Sequence, residues 1–105
     1  MKEITIQEIA PYIRALHCPT RWEIIELLQT GPKSSDEIFK LLQKTSKTLT
    51  KPALYYHLRE LETVEIVSLE EYKLSAQNRA PEKIWKLNIT KLNIIFTNKE
   101  DTKIV

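Results

Sequence analysis

The segment Lys51-Pro52-Ala53-Leu54-Tyr55-Tyr56-His57-Leu58-Arg59 sets two phenols, an imidazole and a guanidinium close together behind a lysine. These groups donate hydrogen bonds, present flat aromatic faces and carry positive charge. No nucleophile–base pair or carboxylate dyad is discernible in the chain, so the chemistry on offer is recognition, not turnover. On a wheel of about 100° per residue with Leu54 at zero, Leu58 and Leu61 lie within about 40° of it, whereas Pro52, Tyr55, Tyr56 and Arg59 fall between about 100° and 200°. One face is therefore core, and the other is an odd choice for water but a sensible one for the major groove. Arg59 reaches a guanine edge or a phosphate, and the tyrosines offer hydroxyls to phosphates and rings to thymine methyls. The alternative is that a tyrosine packs on a neighbouring element or a partner subunit. Lys51, at the start of this helix, adds a phosphate contact. His57 sits about 60° from the core stripe, which predicts a partly buried ring bonded to the preceding helix rather than a metal or DNA ligand.

Other residues join this candidate set. Ser34 and Ser35 open a helix, where backbone N–H groups and the helix dipole favour a phosphate; capping alone would also explain them, and both can hold at once. Lys47 stands in the polar connector 44–50. Gln77, Asn78 and Arg79 form a polar turn with one cation, flanked by Lys73 and Lys83, which suits the minor groove or the backbone. Cys18 lies at a helix start with Arg14 and Arg21 nearby, a setting that lowers a thiol pKa and allows oxidation or pairing with its counterpart in a dimer. The plainer reading is a small, half-buried residue. Only His17, Cys18 and His57 could serve a soft cation, with no second cysteine, so neither a metal nor a cofactor is expected.

The elements that must position these groups follow from periodicity and caps. Thr5 with Glu8 reads as a capping box ahead of Ile6, Ile9, Ile13 and Leu16, and Pro11 either kinks that helix or marks its true start. Pro19 suits the first turn of a second helix, which Gly31-Pro32 stops. Ser34 with Glu37 caps a third, with Ile38, Leu41 and Leu42 on one face. Thr50 caps the fourth, about 51–63. From Ile66 to Leu74 the pattern turns β-branched and partly alternating, residues 75–82 are turn-like, and Ile84, Trp85 and Leu87 form a returning strand. The tail from Ile89 reads equally as strand or helix.

Composition bounds the rest. The chain has 105 residues, a net charge of +2 and a single cysteine and glycine. That predicts one small domain over 1–105, no disulfide framework and no phosphate-cradling glycine loop. No signal peptide or membrane span is apparent, so a cytoplasmic protein is expected. The near-neutral sum conceals blocks: residues 33–59 carry +4, 60–72 carry −5 and 73–91 carry +4. Such runs are usually solvated faces, unless folding brings the two basic blocks together.

Short helices, a polar turn, another helix and a hairpin are the order of a winged helix-turn-helix, mainly α with a β-hairpin wing. The motifs Ala15-Leu16-His17-Cys18-Pro19-Thr20-Arg21, Ser35-Asp36-Glu37-Ile38 and Leu54 to Glu62 resemble the ArsR-type winged helix regulators over roughly residues 10–88. The resemblance implies a homodimeric binder of double-stranded DNA that regulates transcription. It also implies a structural role for Arg21, such as a salt bridge to a glutamate of another helix. Residues 1–17 and 89–105 are the expected dimerisation segments, since Ile6, Ile9, Ile13, Leu92, Ile94, Ile95 and Phe96 exceed what a monomer's edge needs. Two other functions fit the same order of elements: an architectural protein with weak sequence preference, and a protein-interaction module.

Overall fold

The computed structural model describes residues 1–73 and 82–97. In chain order the elements are β1 (Lys2–Thr5), a 3-10 turn (Ile6–Glu8), α1 (Ile9–Leu16), α2 (Pro19–Leu28), β2 (Lys33–Ser34), α3 (Ser35–Gln43), α4 (Lys51–Thr63), β3 (Val67–Lys73), β4 (Glu82–Leu87) and β5 (Leu92–Ile95).

Local chemistry sets most of the boundaries. Glu8 Oε1 accepts from both the backbone N–H and the hydroxyl of Thr5, at 2.9 and 3.0 Å. That cap closes the 3-10 turn, and α1 begins only at Ile9. Pro11 therefore falls in the first helical turn, where its missing N–H has no intrahelical acceptor to lose, so no kink is needed. Pro19 opens α2, with Cys18 at the N-cap. Gly31, at φ +131°, turns the chain after α2 in a conformation open to glycine alone. Ser34 Oγ accepts from the Glu37 N–H at 3.1 Å while Glu37 Oε1 accepts from the Ser34 N–H at 3.1 Å, a reciprocal cap on α3. Thr50 caps α4 through the Ala53 N–H at 3.3 Å.

The far end of α4 closes as a Schellman motif. Ile66 N–H donates to Leu61 O at 3.0 Å and Glu65 N–H to Glu62 O at 2.9 Å. The motif requires a left-handed residue at Glu65, which has φ +63°. It reverses the chain directly into β3.

Two small sheets complete the fold. In the first, β4 lies between β2 and β3, antiparallel to both. Glu70 is the extra residue where the β3–β4 register shifts between Leu69 and Glu71, as in a β-bulge. In the second, β1 pairs parallel with β5, Ile4 opposite Ile94. The tail is thus a strand, and β1 and the two-residue β2 join elements that local pattern did not reveal. The core comprises Ile24, Ile38, Leu42, Leu54, Leu58, Leu61 and Val67, all almost fully buried, with Trp85 closing it from the wing. The architecture is a winged helix-turn-helix, mainly α with a β-hairpin wing. No described helix is long and apolar enough to cross a membrane.

Candidate nucleic-acid interface

The two faces of α4 separate as its periodicity requires. Leu54, Leu58 and Leu61 are at most 1% exposed, while Tyr55 and Tyr56 are 46% and 54% exposed. Lys51, Pro52 and Arg59 are exposed beside them. Pro52 falls in the first turn of α4, and so does not interrupt its hydrogen bonds.

A cleft of about 400 Å³ separates α4 from β4, and Tyr55, Arg59 and Lys83 all line it. A residue from the first basic block and one from the second thus meet across one opening. The cleft is not purely basic: Asp36, Glu62 and Glu82 line it too. The acidic block 60–72 thus sends Glu62 into this opening. Glu70 and Glu71 are exposed on β3.

Ser34 and Ser35 lie differently from a pair of exposed phosphate ligands. Both are buried, at 5% and 8% exposure. Ser34 Oγ is committed to the α3 cap, and Ser35 Oγ accepts from Trp85 Nε1 at 2.9 Å. Their hydroxyls serve internal bonds, and the Ser35–Trp85 bond pins the wing to the start of α3. Trp85 is a positioning residue that the sequence reading placed only in a strand, because its partner stands fifty residues away.

Lys51 is engaged as well. Its ammonium is 3.7 Å from Asp36 Oδ1 and 5.7 Å from the Phe39 ring centroid. Both ion-pair partners are more than half exposed, so the pair is weak enough for a phosphate to displace Asp36. Lys47 is exposed in the turn between α3 and α4. Gln77, Asn78 and Arg79 lie outside the described residues.

Behind α4, His57 is half-buried as expected, but its partner comes from α2. Arg21 Nε donates to His57 Nδ1 at 3.0 Å, and Arg21 Nη1 donates to the carbonyls of Arg14 and Ala15 at 2.9 and 3.3 Å. The anticipated salt bridge from Arg21 to a glutamate is replaced by this set of neutral acceptors. Burial, with the neighbouring Arg21 charge, holds the His57 pKa below the ordinary histidine value. Cys18 is half-buried with a free thiol that makes no cap bond. Among the described residues no group of three or more His, Cys, Asp or Glu side chains could hold a metal ion.

Residues 18–68 match the family described as bacterial regulatory protein, arsR family. Those residues run from the N-cap of α2 to the start of β3. The chain is similar in fold to the reduced form of the transcriptional regulator YodB from B. subtilis, with a TM-score of 0.53 and 22% identity over 96% of this chain and 81% of that one. No curated protein matches the chain significantly. The family match thus spans α2, α3 and α4, with the wing sheet following directly, so residues 18–68 resemble the arsR family within a winged helix-turn-helix fold.

Proposed function

We infer that the protein is a sequence-specific binder of double-stranded DNA that regulates transcription as a homodimer. The observation that carries this reading is the outward face of α4, where Tyr55, Tyr56 and Arg59 stand exposed over a fully buried leucine stripe. The width and chemistry of such a face suit the major groove. Arg59 is the base-edge contact. Tyr55 and Tyr56 serve phosphates and thymine methyls, with Lys51, Pro52 and Lys47 at the helix start and the turn before it. Ser34 and Ser35, whose hydroxyls are bonded internally, contribute only through the helix dipole at the start of α3. Gln77, Asn78 and Arg79 of the wing complete the contacts.

The homodimer reading rests on exposed apolar side chains of α1 and the tail. Ile13 of α1, Ile94 and Ile95 of β5 and Phe96 beyond it are all at least 38% exposed. Ile13 and Ile94 also line one shallow groove. Two copies joined there would present two α4 helices to successive major grooves, about one helical turn apart.

Selection from a pool of random duplexes at several salt concentrations tests the reading. An enriched motif with two-fold symmetry that survives moderate salt supports it. Binding that collapses with salt and enriches nothing would establish an architectural protein. An absence of binding even at low salt would point to a protein partner.

A further inference from the structure

Arg21 is the most deeply buried charged side chain among the described residues, at 6% exposure. No carboxylate among those residues lies within ion-pair distance of it. A buried cation held only by neutral acceptors is costly to place, so its geometry matters. Three of its contacts span three helices. Arg21 Nη1 takes up the carbonyls of Arg14 and Ala15 at the end of α1, where helix carbonyls lack intrahelical partners. Arg21 Nε reaches His57 Nδ1 on α4. Its guanidinium carbon lies 5.4 Å from the ring centroid of Tyr56, within cation–π range, and the Tyr56 and His57 rings are 5.8 Å apart at 57°.

We propose that Arg21 and His57 are positioning residues of the DNA-reading helix, fixing the orientation of Tyr56 through a bond that only neutral His57 can accept. The proposal rests on the reading of α4 as the DNA-contacting helix. Because Nδ1 accepts from Arg21, the imidazole proton resides on Nε2. A second proton would have to enter at Nδ1. It would abolish the acceptor and set an imidazolium against the guanidinium, 3.0 Å away across the former bond. The Tyr56 ring, resting on both groups, loses its support in that state. The ionisable groups around this node are Arg21 from α2, Arg14 and His17 from the end of α1, and Tyr56 and Glu60 of α4 itself. Apart from His57, they line one cavity of about 410 Å³. Arg14 and Arg21 are cationic there, and Glu60 alone is acidic.

The sign follows directly. The folded-state pKa of His57 lies below the ordinary value of 6.5, so the neutral form is intact above that value. Its support of α4 is lost as the pH falls through the folded-state pKa. DNA affinity is therefore expected to fall on acidification along the His57 titration.

Two variants and two readouts test this. His57→Gln keeps an acceptor that cannot titrate, and His57→Leu removes the acceptor. At neutral pH, His57→Gln is expected to bind a selected duplex within about twofold of the wild type, and His57→Leu about tenfold more weakly, the scale of one lost hydrogen bond. The fall in affinity with acid should be present in the wild type and absent in His57→Gln. Wild-type affinity in His57→Leu, confirmed folded by circular dichroism, would overturn the proposal, as would an unchanged acid response in His57→Gln. The second readout needs no DNA. In the free protein, the amide resonances of Tyr55, Tyr56 and Arg59 should shift with the His57 imidazole, and Arg21→Lys should displace their common midpoint. Amides that ignore the His57 titration would overturn the coupling. Loss of all DNA binding by the wild type would defeat the functional reading alone, leaving this second measurement to judge the pair.

Discussion

Arg59 stands exposed on α4 and shares a cleft with Lys83 of the wing, so its long guanidinium arm needs no rearrangement to reach a duplex. Arg59→Ala is expected to cost about 1–3 kcal/mol of specific binding and to relax discrimination at one base position. Competition binding against a non-specific duplex checks this. An unchanged specificity ratio would assign Arg59 to the backbone. At the same scale, the serines show how an inviting sequence position can be spent inside the fold. Ser34-Ser35 before an acidic first turn reads equally well as a cap and as a phosphate cradle. The cap was legible because Glu37 lies three residues away. The Trp85 claim on Ser35 was not, since only the β2–β4 pairing, with Ser34 opposite Ile84 and Lys33 opposite Trp85, brings the indole to that hydroxyl. Arg21 behaves similarly. The family resemblance implied a structural role for it, but which groups it meets depends on how α1, α2 and α4 pack.

At the scale of elements, α4 ends on a left-handed glutamate where most helices of this closure carry glycine or asparagine. The side chain of Glu65 at φ +63° carries strain that a glycine lacks. Its main-chain roles, accepting from Asn88 Nδ2 at 3.0 Å and donating to Glu62 O, do not depend on the side chain. Glu65→Gly is accordingly expected to stabilise the fold by about 1 kcal/mol, read as a higher urea midpoint at unchanged slope. A lower midpoint would mean that the glutamate side chain contributes more than its backbone strain costs. The helices were legible in sequence because caps and apolar spacing act within a few residues. Thr50 and the Leu54–Leu58–Leu61 stripe sufficed to place α4 over the observed Lys51–Thr63. Strands β1, β2 and β5 were not, since each is two to four residues long and exists through pairing with a distant segment. Leu92-Asn93-Ile94-Ile95 has no periodicity of its own that separates strand from helix; Lys2–Thr5 alongside decides it.

For the whole molecule, the groove between α1 and β5 is largely apolar, whereas the outward face of α4 is aromatic and basic. In the proposed dimer the first holds the copies together and the second meets DNA. Replacing Ile94 and Phe96 together by aspartate, at positions 40% and 69% exposed, leaves the monomer's core untouched and is expected to shift sedimentation to the monomer. Retention of the wild-type sedimentation coefficient would move the interface elsewhere. The central claim, that α4 and the wing form the DNA-reading face, is tested most directly by titrating a selected duplex into isotope-labelled protein and mapping amide shifts. The expected result is a set of changes centred on Lys51–Arg59 and on Lys83 of β4, with α1 and β5 little affected. Changes confined to α1 and β5, with α4 silent, would contradict the account.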